Sequence, residues 1–235
     1  MCVLSIIVPA YNEINTINEI LQKLELIRFD RFNKQMIIID DCSTDGTREY
    51  LKALQRKRKD YLIIFHDINY GKGRAIRSGL KHVKGQYTII QDADLEYNTK
   101  NISLLLNHAK KNKLDVVYGS RILNKTNKKH SHVFFYWGGL LVTLITNLLY
   151  GIKITDESTC YKLIKSDLLK SLDLLCEGFE FCPEVTSKIA LKKIYIHEIP
   201  INYYPRKKED GKKIKWIDGI KAIGTLIKWR ISGFA

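Results

Sequence analysis

Five polar clusters in the 235-residue chain carry residue types that could do chemistry: Pro9-Ala10-Tyr11-Asn12-Glu13, Asp40-Asp41-Cys42-Ser43-Thr44-Asp45-Gly46-Thr47, Asn69-Tyr70-Gly71-Lys72-Gly73, Gln91-Asp92-Ala93-Asp94-Leu95-Glu96 and Gly119-Ser120-Arg121. Asp92 and Asp94 are the most specific. They follow an apolar run, where two carboxylates repel each other unless a cation lies between them. A hard divalent cation holding a diphosphate suits the pair, because Mg²⁺ takes one or two carboxylates and completes its shell with phosphate oxygens. The other clusters are less telling alone. Asp40 and Asp41 also read as a turn, with Ser43 or Asp45 capping the next helix. Glu13 also reads as a residue favouring a helix amino terminus. Gly71-Lys72-Gly73 lacks the spacing of a Walker loop.

Each cluster follows an element that would position it. Val3–Val8, Met36–Ile39, Tyr61–Phe65, Tyr87–Ile90 and Val116–Tyr118 read as strands, with helical spacing over Glu13–Ile27, from near Asp45, near 72–82 and near 99–111. Strands with continuous apolar runs alternating with helices predict an α/β fold, a mostly parallel sheet covered by helices on both faces. In such sheets ligands bind beyond the carboxyl ends of the strands, so the five clusters describe one convergent site.

Composition bounds the answer further. With 45% hydrophobic residues, 14 Gly and 4 Pro, disordered and collagen-like chains are excluded. Residues 1–100 hold 16 Lys+Arg against 13 Asp+Glu, so most of the net charge of +14 falls after residue 100 and calls for an anionic partner. No aromatic platform or helix-turn-helix pattern supports nucleic acid as that partner. The five cysteines are scattered, with no C-x-x-C pair, which fits a reduced, cytoplasmic setting, and the apolar amino terminus reads as a buried strand and not a leader. Val133–Ile152 is uncharged and follows Lys125, Lys128 and Lys129. Its length meets the criterion for a membrane span, its glycines and threonines dilute it, and Phe134, Phe135, Tyr136 and Trp137 suit a headgroup boundary. An interfacial helix is the favoured reading, beside a true span or a core helix. From Arg206 to Arg230 a second basic stretch surrounds Ile217, Ile220, Ile223, Leu226 and Ile227, read either as a solvated helix face or as a membrane contact.

In this order the motifs resemble the inverting glycosyltransferases of family 2, with the GT-A fold, and especially their polyprenyl-phosphate branch. The likeness runs from Pro9–Glu13 through Asp40–Thr47, Asn69–Gly79, Asp92–Glu96, Gly119–Arg121, Thr155-Asp156, Gly178–Phe181, Glu198–Ile201 and Tyr204–Arg206 to Gly211–Lys213. It implies that Pro9, Tyr11, Glu13 and Asp40 line the nucleoside pocket with Asp41 nearby, and that Lys72 joins the donor-binding set. Asp92, Ala93 and Asp94 would be the D-x-D element holding Mg²⁺ or Mn²⁺, with Glu96 as a third ligand. Arg121, Arg206 and Lys212 or Lys213, of which Lys213 is preferred, would meet the donor diphosphate. Arg121 with Lys128 and Lys129 would meet the acceptor phosphate, and Asp94 and Arg121 would be the catalytic pair. The chain departs from many relatives at Cys160, where they carry glycine.

The implied division is a nucleotide-sugar core over residues 1–125 and, in the same domain, acceptor- and membrane-facing helices with the basic carboxyl-terminal segment over 126–235. The implied reaction moves mannose or glucose from GDP-mannose or UDP-glucose to a polyprenyl phosphate, on the cytoplasmic face of a membrane. A lipid phosphate is already an anion and needs no general base. The alternative, a soluble transferase acting on a glycan or protein hydroxyl, needs a carboxylate to take the proton, and Asp156, Glu180 and Glu184 are the candidates.

Overall fold

The computed structural model describes residues 2–27, 33–127, 133–206, 213 and 215–233, without the side chains of 2–3 and 133–135. The chain runs β1 (Cys2–Ala10), α1 (Ile17–Leu26), β2 (Asn33–Asp40), α2 (Thr47–Lys57), β3 (Tyr61–Phe65), α3 (Lys72–Leu80), β4 (Tyr87–Ile90), α4 (Lys100–Lys111) and β5 (Val116–Ser120). It continues through α5 (Val133–Tyr150), β6 (Lys162–Lys165), α6 (Ser166–Lys170), α7 (Phe181–Leu191), β7 (His197–Pro200) and α8 (Trp216–Ser232). One seven-stranded sheet has the order β3-β2-β1-β4-β6-β5-β7. The first four of these strands are parallel, β6 lies antiparallel between β4 and β5, and β7 pairs parallel with β5.

The mostly parallel α/β sheet expected from the sequence is present. β4 and β5 are buried along their whole length, as continuous apolar strands covered on both faces should be. In α1 the side chains of Ile17, Ile20, Leu21 and Leu24 repeat at helical spacing and point into the core. Helix α3 lies so close to the sheet that a Cβ on Gly79 would come 2.8 Å from Ile39 Cδ1, which is why glycine stands there.

The strand order reverses at β1, whose neighbours are β2 on one side and β4 on the other. Ile7 pairs with Ile90, Ala10 pairs with Asp40, and the Gln91 and Asp41 amides donate to Ile7 and Ala10 oxygens at 2.9 and 2.8 Å. The carboxyl ends of β1, β2 and β4 therefore meet at a topological switch point, where open α/β sheets form their ligand crevice.

Strand β6 was not legible because a lysine sits inside it. Lys162 is 1% exposed, donates from Nζ to the Glu157 and Thr159 carbonyls, and lies 4.2 Å from the Tyr118 ring centroid. Helix α5 packs against α7 and α8 and buries Val142, Thr143 and Thr146. Trp137, Leu141, Leu144 and Leu148 stay exposed, so the core-helix reading fails. No helix of the described residues is long and apolar enough to cross a membrane. On α8, Leu226 is buried while Trp216, Ile217, Ile220, Ile227 and Ile231 are exposed, which makes its outer face apolar and not simply solvated.

Candidate active site

A cavity of about 1140 Å³ lies at the switch point. Pro9, Tyr11 and Glu13 reach it from beyond β1, Asp41 from β2, Gly71 and Lys72 from the loop into α3, Asp92, Ala93, Asp94 and Glu96 from β4, and Arg121 from β5. All five polar clusters thus contribute to one wall, and Arg206 and Lys213 complete it from the carboxyl-terminal segment.

The first two clusters are cross-linked through their small polar residues. Asn12, Glu13 and Ile14 amides donate to Ser43 Oγ, Thr47 Oγ1 and Asp45 Oδ2 at 2.9, 2.9 and 3.0 Å. Ser43 therefore braces the loop instead of capping α2, whose cap position is Gly46. Glu13 sits at the amino terminus of α1 and also serves the site. Its carboxylate accepts from Arg206 Nη2 at 2.9 and 3.2 Å, Lys213 Nζ at 2.7 Å and Thr16 Oγ1 at 2.8 Å. Lys213 also reaches the Tyr11 carbonyl.

Asp40 is placed differently from the expectation. It is fully buried and does not line the cavity. Oδ1 accepts the Ser43 amide at 3.3 Å, whereas Oδ2 has no hydrogen bond among the described residues and lies 3.4 Å from Arg48 Nη1. Asp41 is the carboxylate on the wall, and it holds the next loop: Oδ1 accepts the Tyr70 amide at 3.1 Å and Oδ2 the Gly71 amide at 2.7 Å. Gly71 has φ +97°, and a Cβ there would lie 2.6 Å from the Glu177 carbonyl oxygen, so this turn admits only glycine.

That loop delivers Lys72, whose Nζ lies 2.6 Å from Asp92 Oδ1 and 3.6 Å from Cys160 Sγ. Burial opposes the charge on Lys72, yet Asp92 together with Cys160 and Cys182 outweighs it and holds the pKa above its ordinary value. Asp94 is less well compensated. Burial, then the charges of Asp92 and Glu96, push its pKa up to about 7, against the pull of Arg206 at 3.6 Å.

Glu96 does not act as a third ligand in this arrangement. Its Oε2 accepts the Tyr203 hydroxyl at 2.5 Å, its Oε1 the Arg206 amide at 2.7 Å, and its carbonyl the Tyr204 amide at 2.8 Å. Both carboxylate oxygens are occupied in docking the 203–206 segment, which is how Arg206 arrives at the site. Among the described residues no group of three or more His, Cys, Asp or Glu side chains is arranged to hold a metal by itself.

Arg121 is held side-on by Asp156: Nε and the amide bind Oδ2 at 2.7 and 2.9 Å, and Nη2 binds Oδ1 at 2.7 Å. Burial alone would raise the Asp156 pKa, but the Arg121 charge and its hydrogen bonds lower it instead. Asp156 is thus a partner of Arg121 and not a free base. Glu184 is fully buried, accepts the Leu175 and Cys176 amides at 2.8 Å each, and pairs with Lys188 at 3.0 Å. Glu180 accepts the Gly178 amide at 3.0 Å and is not on the cavity wall. None of the three candidate bases is available as expected.

The sequence reading missed Tyr203, whose aromatic ring lies 5.1 Å from Arg121 Cζ, and the pairing of Asp156 with Arg121. No spacing signal announces contacts between residues 35 or 107 apart. Apolar side chains also line the cavity, among them Tyr136, Leu140 and Val142 from α5 and Trp216, Ile217 and Ala222 from α8. Lys128, Lys129 and Lys212 lie outside the described residues, as do the side chains of Phe134 and Phe135.

Comparison with known proteins places this architecture. Residues 5–173 match the model of the family described as "Glycosyl transferase family 2". The chain is 29% identical over 258 residues to a dolichyl-phosphate beta-glucosyltransferase of Saccharomyces cerevisiae, covering 97% of this chain and 74% of that protein. It is 26% identical over 211 residues to a low-salt glycan biosynthesis hexosyltransferase of Haloferax volcanii, covering 88% of this chain but only 49% of that protein. Among solved structures, glucosyl-3-phosphoglycerate synthase of Mycobacterium tuberculosis, in complex with Mn²⁺, UDP and glucosyl-3-phosphoglycerate, superposes with a TM-score of 0.69 at 15% identity, covering 98% of this chain and 80% of that one. The fold is GT-A-like.

Proposed function

The chain belongs to glycosyl transferase family 2, and from that premise we propose that it moves a hexose from a nucleotide diphosphate sugar to a polyprenyl phosphate, with inversion and with the help of a divalent cation. The observation that carries this reading is the lining of the cavity, rich in carboxylates from the strand ends and mostly apolar along α5 and α8. Among the described residues eight carboxylate side chains line it against five Lys and Arg side chains, in a protein whose net charge is +14. A diphosphate entering such a wall needs a cation with it. Asp92 and Asp94 fit that cation, since they are hard oxygen donors and Asp94 is short of positive charge. Mg²⁺ and Mn²⁺ are the ions of that class. When bound, such an ion would neutralise charge growing on the departing diphosphate.

The protein's own cations complete the arrangement. Lys72, Arg206 and Lys213 are each held by a site carboxylate, and phosphate oxygens of the donor would take over these contacts. Arg121, fixed by Asp156, keeps its planar fork beside the cavity with Nη1 unpartnered among the described residues, where it would orient the acceptor phosphate. An acceptor phosphate oxygen attacks the anomeric carbon from the face opposite the leaving group, the bond to the donor phosphate breaks, and the nucleoside diphosphate leaves with that electron pair. No proton is moved.

The apolar side chains that α5 and α8 bring to the lining support a lipid. The exposed apolar faces of α5 and α8 lie beside Lys215, Lys221, Lys228 and Arg230, a combination suited to a peripheral position on an anionic membrane surface. Of the two sugars, the glucosyl relatives favour glucose. The test is release of UDP or GDP from UDP-glucose or GDP-mannose, with and without Mg²⁺ or Mn²⁺ and a polyprenyl phosphate. Release that requires both cation and lipid phosphate is expected. Release indifferent to the lipid contradicts the reading.

A further inference from the structure

His66 lies off the cavity wall, yet both of its ring nitrogens are engaged. Nδ1 is 2.7 Å from Asp41 Oδ1 and Nε2 is 2.9 Å from Ser78 Oγ on α3. An ionised Asp41 only accepts, so on a neutral ring Nδ1 carries the proton and Nε2 accepts the serine hydroxyl. The backbone of His66 is fixed as well: its amide donates to the Asp40 carbonyl at 2.9 Å and its carbonyl accepts Arg48 Nη1 at 2.8 Å. Its ring stands edge-on to Tyr70, with centroids 5.2 Å apart.

We propose that His66 is a positioning residue for the donor: it fixes the Asp41 carboxylate, and through it the Tyr70–Lys72 turn that brings Lys72 to Asp92. The proposal rests on the donor site proposed above. Among the described residues Asp41 has three hydrogen-bond donors, the amides of Tyr70 and Gly71 and the His66 ring; the amides hold it to the start of helix α3, and the ring ties it to the body of that helix at Ser78. Without the ring the carboxylate is free to turn about its side-chain torsions, and the two amides that set the turn lose a fixed acceptor. Lys72 directly follows Gly71, so a turn that loosens there moves the Lys72 ammonium off Asp92. The order Ser78–His66–Asp41 is also that of a hydrolytic triad. Ser78 is off the cavity wall, however, so no bound group reaches its hydroxyl, and the chain holds position without reacting.

The test compares His66→Ala, His66→Asn and Ser78→Ala. Asparagine can place an amide N–H near the position of Nδ1, so it keeps the bond to Asp41 and gives up the one to Ser78. His66→Ala should weaken UDP or GDP binding by calorimetry about tenfold and raise the donor KM in proportion, with acceptor KM and kcat unchanged. His66→Asn should restore most of the affinity. Wild-type nucleotide affinity in folded His66→Ala, a loss confined to kcat, or an asparagine variant no better than alanine would overturn the proposal. If His66→Ala does not fold, Ser78→Ala carries the test: a severalfold weaker nucleotide affinity supports it and an unchanged one overturns it. Hydrogen exchange at the Gly71 amide reads the same role without a donor, being faster in His66→Ala if the proposal holds and unchanged if it does not. A wild-type protein that binds neither nucleotide would instead contradict the proposed function, while the exchange result would still decide the role of His66.

Discussion

At the scale of single residues, the site is held by carboxylates that each do a different job. Asp94 is the one whose charge the protein compensates least. Its folded pKa of about 7 stands above the ordinary 3.8, so the folded chain binds this proton more tightly than the unfolded one. The stability contributed by that proton is complete below the ordinary value and is lost as pH rises towards 7. Asp94→Asn, with cation removed by a chelator, should therefore raise the melting temperature at pH 8 and leave it nearly unchanged at pH 4, while transfer falls about a hundredfold or more. Asp156 behaves in the opposite sense. Its lowered pKa stabilises the fold above the ordinary carboxylate range, and that contribution is lost on acidification. Asp156→Ala leaves Arg121 buried without its partner, and chemical denaturation should show a cost of about 3–5 kcal/mol at pH 7 and a smaller one at pH 3. Glu96→Ala removes the acceptor for the Tyr203 hydroxyl and the Arg206 amide together. It should cost about 1–3 kcal/mol and raise the donor KM, because Arg206 loses its anchor.

At the scale of elements, legibility followed how each side chain is satisfied. Strands β1 to β5 could be read because they are apolar on both faces, and their polar ends could be read as one site because parallel strands bring their carboxyl ends together. β6 and α7 could not. Lys162 within β6, and Glu184 and Lys188 within α7, are buried because they find partners inside the protein, and a partner is not visible in periodicity. The D-x-D pair was legible from its own two carboxylates, whereas the roles of Glu96, Asp156 and Asp40 depended on residues far along the chain. Helices α5 and α8 share one cavity wall and both turn large apolar side chains outward. Replacing Leu148 and Ile227 together by Gln should weaken binding to anionic vesicles in a flotation assay about tenfold or more, given about 0.8 kcal/mol for each buried methylene, with nucleotide affinity unchanged. Unchanged flotation would reject these faces as the docking surface.

At the scale of the whole molecule, charge is segregated. The chain carries +14 overall, yet among the described residues its cavity is lined by more carboxylates than cations. The basic exterior suits attraction to an anionic surface, and vesicle binding should therefore decline steeply as salt screens it, over a Debye length that shortens from about 10 Å at 0.1 M to about 3 Å at 1 M. The acidic interior suits a donor that arrives with a divalent cation. The apolar side chains of α5 and α8 in the cavity lining suit the chain of a lipid acceptor. The central claim is that the attacking group is a lipid phosphate, and the measurement that reads it most directly offers radiolabelled UDP-glucose and GDP-mannose, with Mg²⁺ or Mn²⁺, to a polyprenyl phosphate and to the same polyprenol without phosphate. Label carried into the organic phase by the phosphate alone is the predicted result. Equal labelling of the polyprenol, or labelling of neither while a glycan or protein acceptor is glycosylated, would contradict it.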